Sequence, residues 1–415
     1  MSLSSAALRE LDRCNKCGFC LPTCPTYVRL ELEPASPRGR LAIAEEVAAG
    51  RQSLDPYVAE QMYLCLGCRA CETACPSGVQ FGIVLEDMRG ELQRAGVPAP
   101  GHDGMADFVL DHVITHPGRL RWLRRLLRWY QRAVQPWLRR AKLLPRKLAS
   151  LESGIPGYDE APAVTNDPAP DVAFFRGCLM DVLYEATNNR SVHVLKAMGH
   201  RVACPAGEVC CGALHGHAGR LDEARALARQ NIAAFEATGA DMYVNAAGGC
   251  GAFMQGYGHL LEDDPEWAEK ARKFSHNMVD LSVAAHDLKV TATGVAVTLQ
   301  DSCHLRHGQK VAREPRDLLK RLGRLAELPG ADTCCGSAGL YSLTHRAMSS
   351  RVLADKMAAV ADIAADVLVT ANPGCQMQMQ AGVAQAGLNV KVVHLADLLY
   401  TSYVRPSTTG SQGPE

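Results

Sequence analysis

Sixteen of the 17 cysteines in this 415-residue chain fall into patterned sets, and two kinds of set are present. Cys14, Cys17, Cys20 and Cys24 lie in CNKCGFCLPTCP, and Cys65, Cys68, Cys71 and Cys75 lie in CLGCRACETACP. Both read C-x2-C-x2-C-x3-C-P, the run that wraps a [4Fe–4S] cube. Three closely spaced thiolates can reach three iron corners from one turn of backbone. The fourth, followed by Pro25 or Pro76, leaves in another direction and ligates the other cluster. By that rule cluster 1 takes Cys14, Cys17, Cys20 and Cys75, and cluster 2 takes Cys65, Cys68, Cys71 and Cys24. Zinc is the competing reading, but zinc sites usually show two C-x2-C pairs in place of four-cysteine runs.

The second kind of set is a doubled pair. VCCGALHG carries Cys210 and Cys211, and TCCGSAGL carries Cys334 and Cys335, 124 residues later. Neighbouring Cα atoms lie about 3.8 Å apart, whereas unstrained disulfides want roughly 4.4–6.8 Å. A vicinal disulfide is therefore the strained reading. Cys178 and Cys250 flank the first pair as Cys303 and Cys375 flank the second, at offsets of 124 or 125. Each set of four is expected to be a ligand set; thiol redox chemistry and inert packing are the alternatives. Cys204 corresponds to Leu328 and is expected to be a buried structural cysteine.

The elements that must position these cysteines repeat with them. DVAFFRGC parallels VAVTLQDSC, and ADMYVNAAGGC parallels ADVLVTANPGC. Each is a run of strand formers, a turn and then a cysteine. Helix-like stretches such as RLDEARALARQNIAAFEA and HRAMSSRVLADKMAAVADIA lie between them. The pattern predicts β–Cys–α–β–CCG–α–β–Cys–α in each half, with cysteines at the C-terminal ends of strands, where open α/β sheets gather ligands. Upstream, the 40 residues between Cys24 and Cys65 hold two short amphipathic segments, Leu41–Gly50 and Asp55–Leu64. The fold class expected is an α-helical two-cluster ferredoxin domain followed by two repeated α/β CCG domains. Its parts are a ferredoxin-type domain with two [4Fe–4S] clusters over 1–100 and a basic amphipathic helical connector over 101–151. A proline- and aspartate-rich linker over 152–171 precedes CCG domains at 172–290 and 291–404 and a disordered tail at 405–415.

The connector holds no acidic residue between His112 and Leu151. Leu120, Leu123, Leu127, Tyr130, Val134 and Trp137 recur every three or four residues, predicting one apolar helical face, with Pro136 and Pro145 as breaks. Trp122, Trp129 and Trp137 suit a membrane interface or a partner groove. Packing of the stripe on the protein itself is the plainer alternative.

Across nearly its whole length, from about Asp12 to Tyr400, the chain resembles the iron–sulfur subunits of bacterial glycolate oxidase. The resemblance rests on the paired ferredoxin runs, the two CCG repeats, and the strings PRGR (Pro37–Arg40), CPSGV (Cys75–Val79), GCGAF (Gly249–Phe253), CCGSAGLYSLTH (Cys334–His345) and TANPGCQ (Thr370–Gln376). The broader group includes a glycerol-3-phosphate dehydrogenase subunit, lactate-utilisation proteins and heterodisulfide reductase subunits. It implies an electron-transfer subunit serving FAD-containing dehydrogenase subunits and a membrane quinone, with a lactate or glycerol-3-phosphate donor, or a thiol/disulfide activity, as alternatives. Heterodisulfide reductase members end each repeat with C-x-x-C, but here Phe253 and Gln378 stand three positions after Cys250 and Cys375. Each repeat thus offers four thiolates. That favours a relay or docking site, holding an iron–sulfur centre or zinc, over a disulfide-cleaving centre.

Composition narrows the rest. A chain 47% hydrophobic and 21% charged is globular, and 44 basic residues against 44 acidic give no sign of nucleic acid as a partner. No secretory leader or apolar span is evident, so a cytoplasmic protein is expected, peripheral on the inner face of the cell membrane if the connector binds there. Nor does a phosphate loop or dinucleotide fingerprint stand out, so no flavin or NAD is expected in this chain.

Overall fold

The computed structural model describes residues 3–101, 104–140, 154–157, 159–160 and 162–403. Pro145 and the tail 405–415 lie outside the described residues. The region before residue 101 holds helices and no strand among the described residues. Both segments expected to be helical there are so, as Pro37–Ala48 and Pro56–Tyr63. Each starts on a capped end with Pro at its first position: Ser36 accepts from the Gly39 N–H, and Asp55 from the Val58 N–H. This explains the PRGR string. A Cβ on Gly39 would meet the Glu33 carbonyl oxygen at 2.0 Å. Arg40 is fully buried, donating to the carbonyls of Ala35 and Gln61 and to Thr26 Oγ1.

Beyond the linker the chain forms two four-stranded parallel sheets. The first contains β1 (Val172–Phe175), β2 (Val202–Ala203), β3 (Met242–Asn245) and β4 (Met278–Asp280) in the order β2-β1-β3-β4. The second contains β5 (Ala296–Leu299), β6 (Arg324–Ala326), β7 (Val367–Thr370) and β8 (Lys391–His394) in the equivalent order β6-β5-β7-β8. All four residues of β1 are buried, as befits strands covered by helices on both faces. The expected helices are present as Leu221–Glu236 and Arg346–Ala361. The fourth strand of each sheet is absent from the expected pattern; β4 is a three-residue strand wedged between helices, too short to give a period.

The helical region docks on both repeats through buried polar contacts. Tyr63 Oη donates to the Ala218 carbonyl and Tyr341 Oη to the Leu64 carbonyl. Thr73 Oγ1 lies 2.9 Å from His307 Nδ1.

The connector runs as one helical stretch from Pro117 to Arg140, with a wider π-type turn at Tyr130–Val134. Two expectations are corrected here. Pro136 does not end the helix, because the wide turn just before it absorbs the missing backbone donor. The expected apolar face is also split: Leu120 is buried and Leu127, Tyr130 and Val134 are half-buried, but Leu123 and Trp137 are exposed. Arg124 bridges Asp181 and Glu185 at 3.1 and 3.0 Å, and Arg128 also pairs with Glu185. Those ion pairs hold Arg124 and Arg128, along with part of the apolar stripe, toward the first repeat.

Candidate metal centres

The two ferredoxin-type runs coil alike. Positive φ falls at the second and fourth positions after the first cysteine of each: Lys16 (58°) and Gly18 (87°) in one, Gly67 (62°) and Arg69 (61°) in the other. Alternating left-handed residues curl the backbone into an anion-binding concavity. Cys14, Cys17, Cys20 and Cys75 line one small cavity of about 30 Å³, joined by Cys71, Lys16 and Arg38. Cys75 therefore reaches across to the first run. The buried Cys68 thiol and the half-buried Cys71 thiol are pushed well up, by desolvation first and then by neighbouring sulfurs; Cys65 and Cys24 are among those neighbours for both. Cys24 is buried, with its Sγ 3.2 Å from Thr26 Oγ1.

The repeat cysteines sit where the sheet topology directs them. In the order β2-β1-β3-β4 the chain reverses direction between β1 and β3, the switch point at which parallel sheets open a crevice. Cys178 follows β1 and Cys250 follows β3; Cys303 follows β5 and Cys375 follows β7. The Cys–Cys pairs arrive on the loops after β2 and β6. The glycine after each pair has a physical reason: φ is +85° at Gly212 and +90° at Gly336. A Cβ on Gly336 would lie 2.7 Å from the Ser349 carbonyl oxygen, and one on Gly212 3.3 Å from the Phe253 ring.

In the first repeat Cys178 Sγ and Cys210 Sγ are 3.5 Å apart. Cys210 also contacts Cys211, and Cys211 contacts Cys250. The second repeat strings Cys303, Cys334, Cys335 and Cys375 together in the same way. The Cys178 thiol is pushed well up by its hydrogen bond with Cys210 and then by burial, and Cys303 likewise by Cys334 and burial. Four such thiols cannot ionise together without a cationic centre among them. All eight line a single cavity of about 190 Å³ between the repeats, and Cys65 is on its wall. The cysteines are free thiols, and among the described residues no three ligating side chains are gathered around one point fit for a single metal ion. The cavity's lining holds these thiols with no carboxylate among them, a soft donor set that suits iron–sulfur or zinc.

The two kinds of site also meet in a buried cluster. Cys68 packs in a buried cluster with Cys303 and Cys334, and after burial the charge on Cys303 is the largest influence on it. Donors to sulfur are in place as well: Gly67 N–H to Cys65 at 3.3 Å, Gly336 N–H to Cys334 at 3.4 Å and Asn372 Nδ2 to Cys375 at 3.6 Å.

Residues the sequence reading missed include Arg89, Asn372 and His304. Arg89 is buried and donates to the carbonyls of Met62, Cys65 and His217. Its signal was a lone arginine on the apolar face of the helix Phe81–Arg94, beside Leu85, Met88 and Leu92. Asn372 and His304 align with Ala247 and Leu179 in the first repeat, so the repeat itself hid them. His304 Nδ1 lies 3.5 Å from Cys303 Sγ. Cys204 stands apart from both sets, half-buried with its thiol beside the Arg176 side chain, and less enclosed than expected.

These sites define an iron–sulfur protein built from a dicluster domain and two cysteine-rich domains. The comparisons agree: a "4Fe-4S dicluster domain" matches residues 10–79 and a "Cysteine-rich domain" matches 172–255 and 297–380. A third match, at 103–155, is described as "Glycolate oxidase iron-sulfur subunit, linker region". The chain is 42% identical to the probable glycolate oxidase iron-sulfur subunit of Bacillus subtilis, over 94% of this chain and 93% of that one. It is 34% identical to the glycolate oxidase iron-sulfur subunit of Escherichia coli, over 89% of each. Lactate utilization protein A of Bacillus velezensis is 32% identical over 55% of this chain and 98% of its own. The chain belongs to the family of glycolate oxidase iron-sulfur subunits, and it is an electron-transfer component of an oxidoreductase complex. No helix among the described residues is long and apolar enough to cross a membrane.

Proposed function

We propose that this chain carries electrons from a flavoprotein partner that oxidises glycolate to glyoxylate, on toward a membrane quinone. Oxidation of glycolate releases two electrons and two protons at the partner's FAD, and this chain conducts the electrons one at a time. Cys14, Cys17, Cys20 and Cys75 would hold one [4Fe–4S] cluster, and Cys65, Cys68, Cys71 and Cys24 the other. Cys178, Cys210, Cys211 and Cys250, and Cys303, Cys334, Cys335 and Cys375, would each hold a further iron–sulfur centre. When bound, such clusters accept and release single electrons at potentials tuned by burial and by hydrogen bonds to sulfur.

The observation that carries this reading is that Cys68 shares one buried cluster with Cys303 and Cys334. It supports an unbroken line of thiols, from the first run through the second run and the second repeat to the first repeat across the shared cavity. The chain's own residues insulate that line: Arg89, Tyr63 and Tyr341 close the cavity wall. The test uses the chain purified anaerobically with and without its flavoprotein. Glycolate should bleach the iron–sulfur absorbance of the complex and leave the isolated chain unchanged. Glycolate turnover by the isolated chain with an artificial acceptor would overturn the proposal.

A further inference from the structure

The connector helix carries a second stripe that stands exposed among the described residues. Trp122, Leu126 and Trp129 recur at i, i+4 and i+7, and Trp137 follows beyond the wide turn; their exposures are 64, 42, 59 and 60%. Three of the chain's four tryptophans thus stand in solvent on one short segment, although indole rings ordinarily seek burial. Arg119, Arg121, Arg125 and Arg140 are exposed on the same segment, and no acid lies between His112 and Leu151 to offset them. The opposite side is committed, through Leu120 and the Arg124 and Arg128 ion pairs with Asp181 and Glu185.

We infer that this face is a docking surface for an anionic lipid bilayer. The stripe is a convex helix side, not a groove. It combines aromatic rings with a polar edge and cations of one sign, the profile of a helix lying in the plane of a headgroup layer. A protein partner would be expected to meet a mixed-charge rim, whereas negative headgroups complement the exposed Arg119, Arg121, Arg125 and Arg140; Arg132, farther along, pairs with Glu160. The position has a functional consequence. The helix rests on the segment Cys178–Leu183, whose first residue belongs to the first-repeat thiols and whose Asp181 takes the Arg124 ion pair. Docking there brings the first-repeat thiols, which share a cavity with Cys65, toward the lipid. This deepens the proposed delivery to a membrane acceptor and rests on it for its purpose, but the binding can be measured alone.

The experiment is sedimentation of the full iron–sulfur-loaded chain with vesicles of phosphatidylglycerol and phosphatidylcholine, compared with phosphatidylcholine only. The expected result is binding to the anionic vesicles, weakened by salt, with a blue shift of tryptophan emission. A Trp122→Ser/Trp129→Ser/Trp137→Ser variant, which keeps only Trp267, should lose the shift and the binding. Arg121→Glu/Arg125→Glu should bind at least about tenfold more weakly. Unchanged visible absorbance in both variants would establish that they fold. Absence of vesicle binding, equal binding to neutral vesicles, or variants that bind as well as the parent would overturn the inference. So would loss of flavoprotein co-purification in the tryptophan variant without any vesicle binding by the parent, which would make the face a subunit contact. None of these readouts involves glycolate, so failure of the electron-transfer proposal would register separately.

Discussion

Asn372 accepts a hydrogen bond from the Gly249 N–H at 3.0 Å, joining two helix N-termini that lie 123 residues apart in sequence and carry equivalent cysteines of the two repeats. The same side chain donates to Cys375 Sγ at 3.6 Å, and the neighbouring Ala371 carbonyl accepts from the Gly248 N–H at 3.0 Å. One asparagine therefore sets the spacing between the two thiol sets and tunes one of their sulfurs. Replacing Asn372 with Ala removes both bonds. A destabilisation of about 1–2 kcal/mol is expected, with a lower reduction potential for the second-repeat centre as its sulfur loses a donor. A redox titration of Asn372→Ala followed by paramagnetic resonance would check it; an unchanged potential would remove Asn372 from any tuning role.

Arg89 makes a similar link on the ferredoxin side. It is a buried cation bonded only to carbonyls, with Nη2 2.8 Å from the Cys65 carbonyl and Nη1 2.6 Å from that of His217. Burial lowers its pKa from the ordinary arginine value. Arg89→Met should cost roughly 3 kcal/mol or more, because three carbonyls lose their donor. It should also shift the potential of the second-run centre downward, since a nearby positive charge favours the reduced form. Lysine at this position should restore part of the potential and less of the stability. Thermal denaturation and a redox titration of the two variants read these effects separately.

The two CCG glycines are not equivalent. Gly336→Ala places a methyl against the Ser349 backbone carbonyl as well as forcing an unfavourable φ, whereas the contacts at Gly212 begin at 3.3 Å against a ring edge. Left-handed φ alone costs about 1–2 kcal/mol outside glycine. Gly336→Ala should exceed that range and Gly212→Ala should stay within it. Comparable melting temperatures for the two variants would contradict the clash.

Asp280 predicts a pH dependence of stability. Its carboxyl is buried, Oδ1 accepts from the backbone and hydroxyl of Ser282, and Oδ2 has no partner. Burial, with some repulsion from Glu314, raises its pKa to about 6. The folded state therefore holds the proton more tightly than the unfolded chain does. The resulting stability is full below about pH 4 and is lost as pH rises through about 6, a change of about 3 kcal/mol. Asp280→Asn should be more stable than the parent at pH 8 and show little advantage at pH 4. Equal pH profiles for the two proteins would show that Asp280 ionises freely.

Sequence spacing made much of this legible, because iron–sulfur ligation and strand alternation both leave local marks. The two four-cysteine runs, the helices Pro37–Ala48 and Pro56–Tyr63, and three strands of each repeat could be read from residue type and interval. What escaped depends on distance in the chain. The buried cluster that groups Cys68 with Cys303 and Cys334 spans separate domains, and no interval in the sequence records it. The exposed tryptophan stripe was misassigned in part, since Trp137 fits the apolar period of a straight helix but follows a turn of wider pitch. β4 and β8 are edge strands added by tertiary pairing to β3 and β7, where propensity has little to say.

Under the proposed function the repeat thiols carry iron and communicate with the second ferredoxin-type run. Iron analysis and paramagnetic resonance of the anaerobically loaded chain, parent against Cys303→Ser/Cys334→Ser, test it most directly. The parent should hold clearly more than the iron of two cubanes, about eight atoms, and its reduced spectrum should show magnetic interaction between centres. The variant should lose the second repeat's share of the excess iron and that interaction while keeping the two cubane signals. About eight irons accompanied by zinc in the parent, with a spectrum indifferent to the double substitution, would contradict the account.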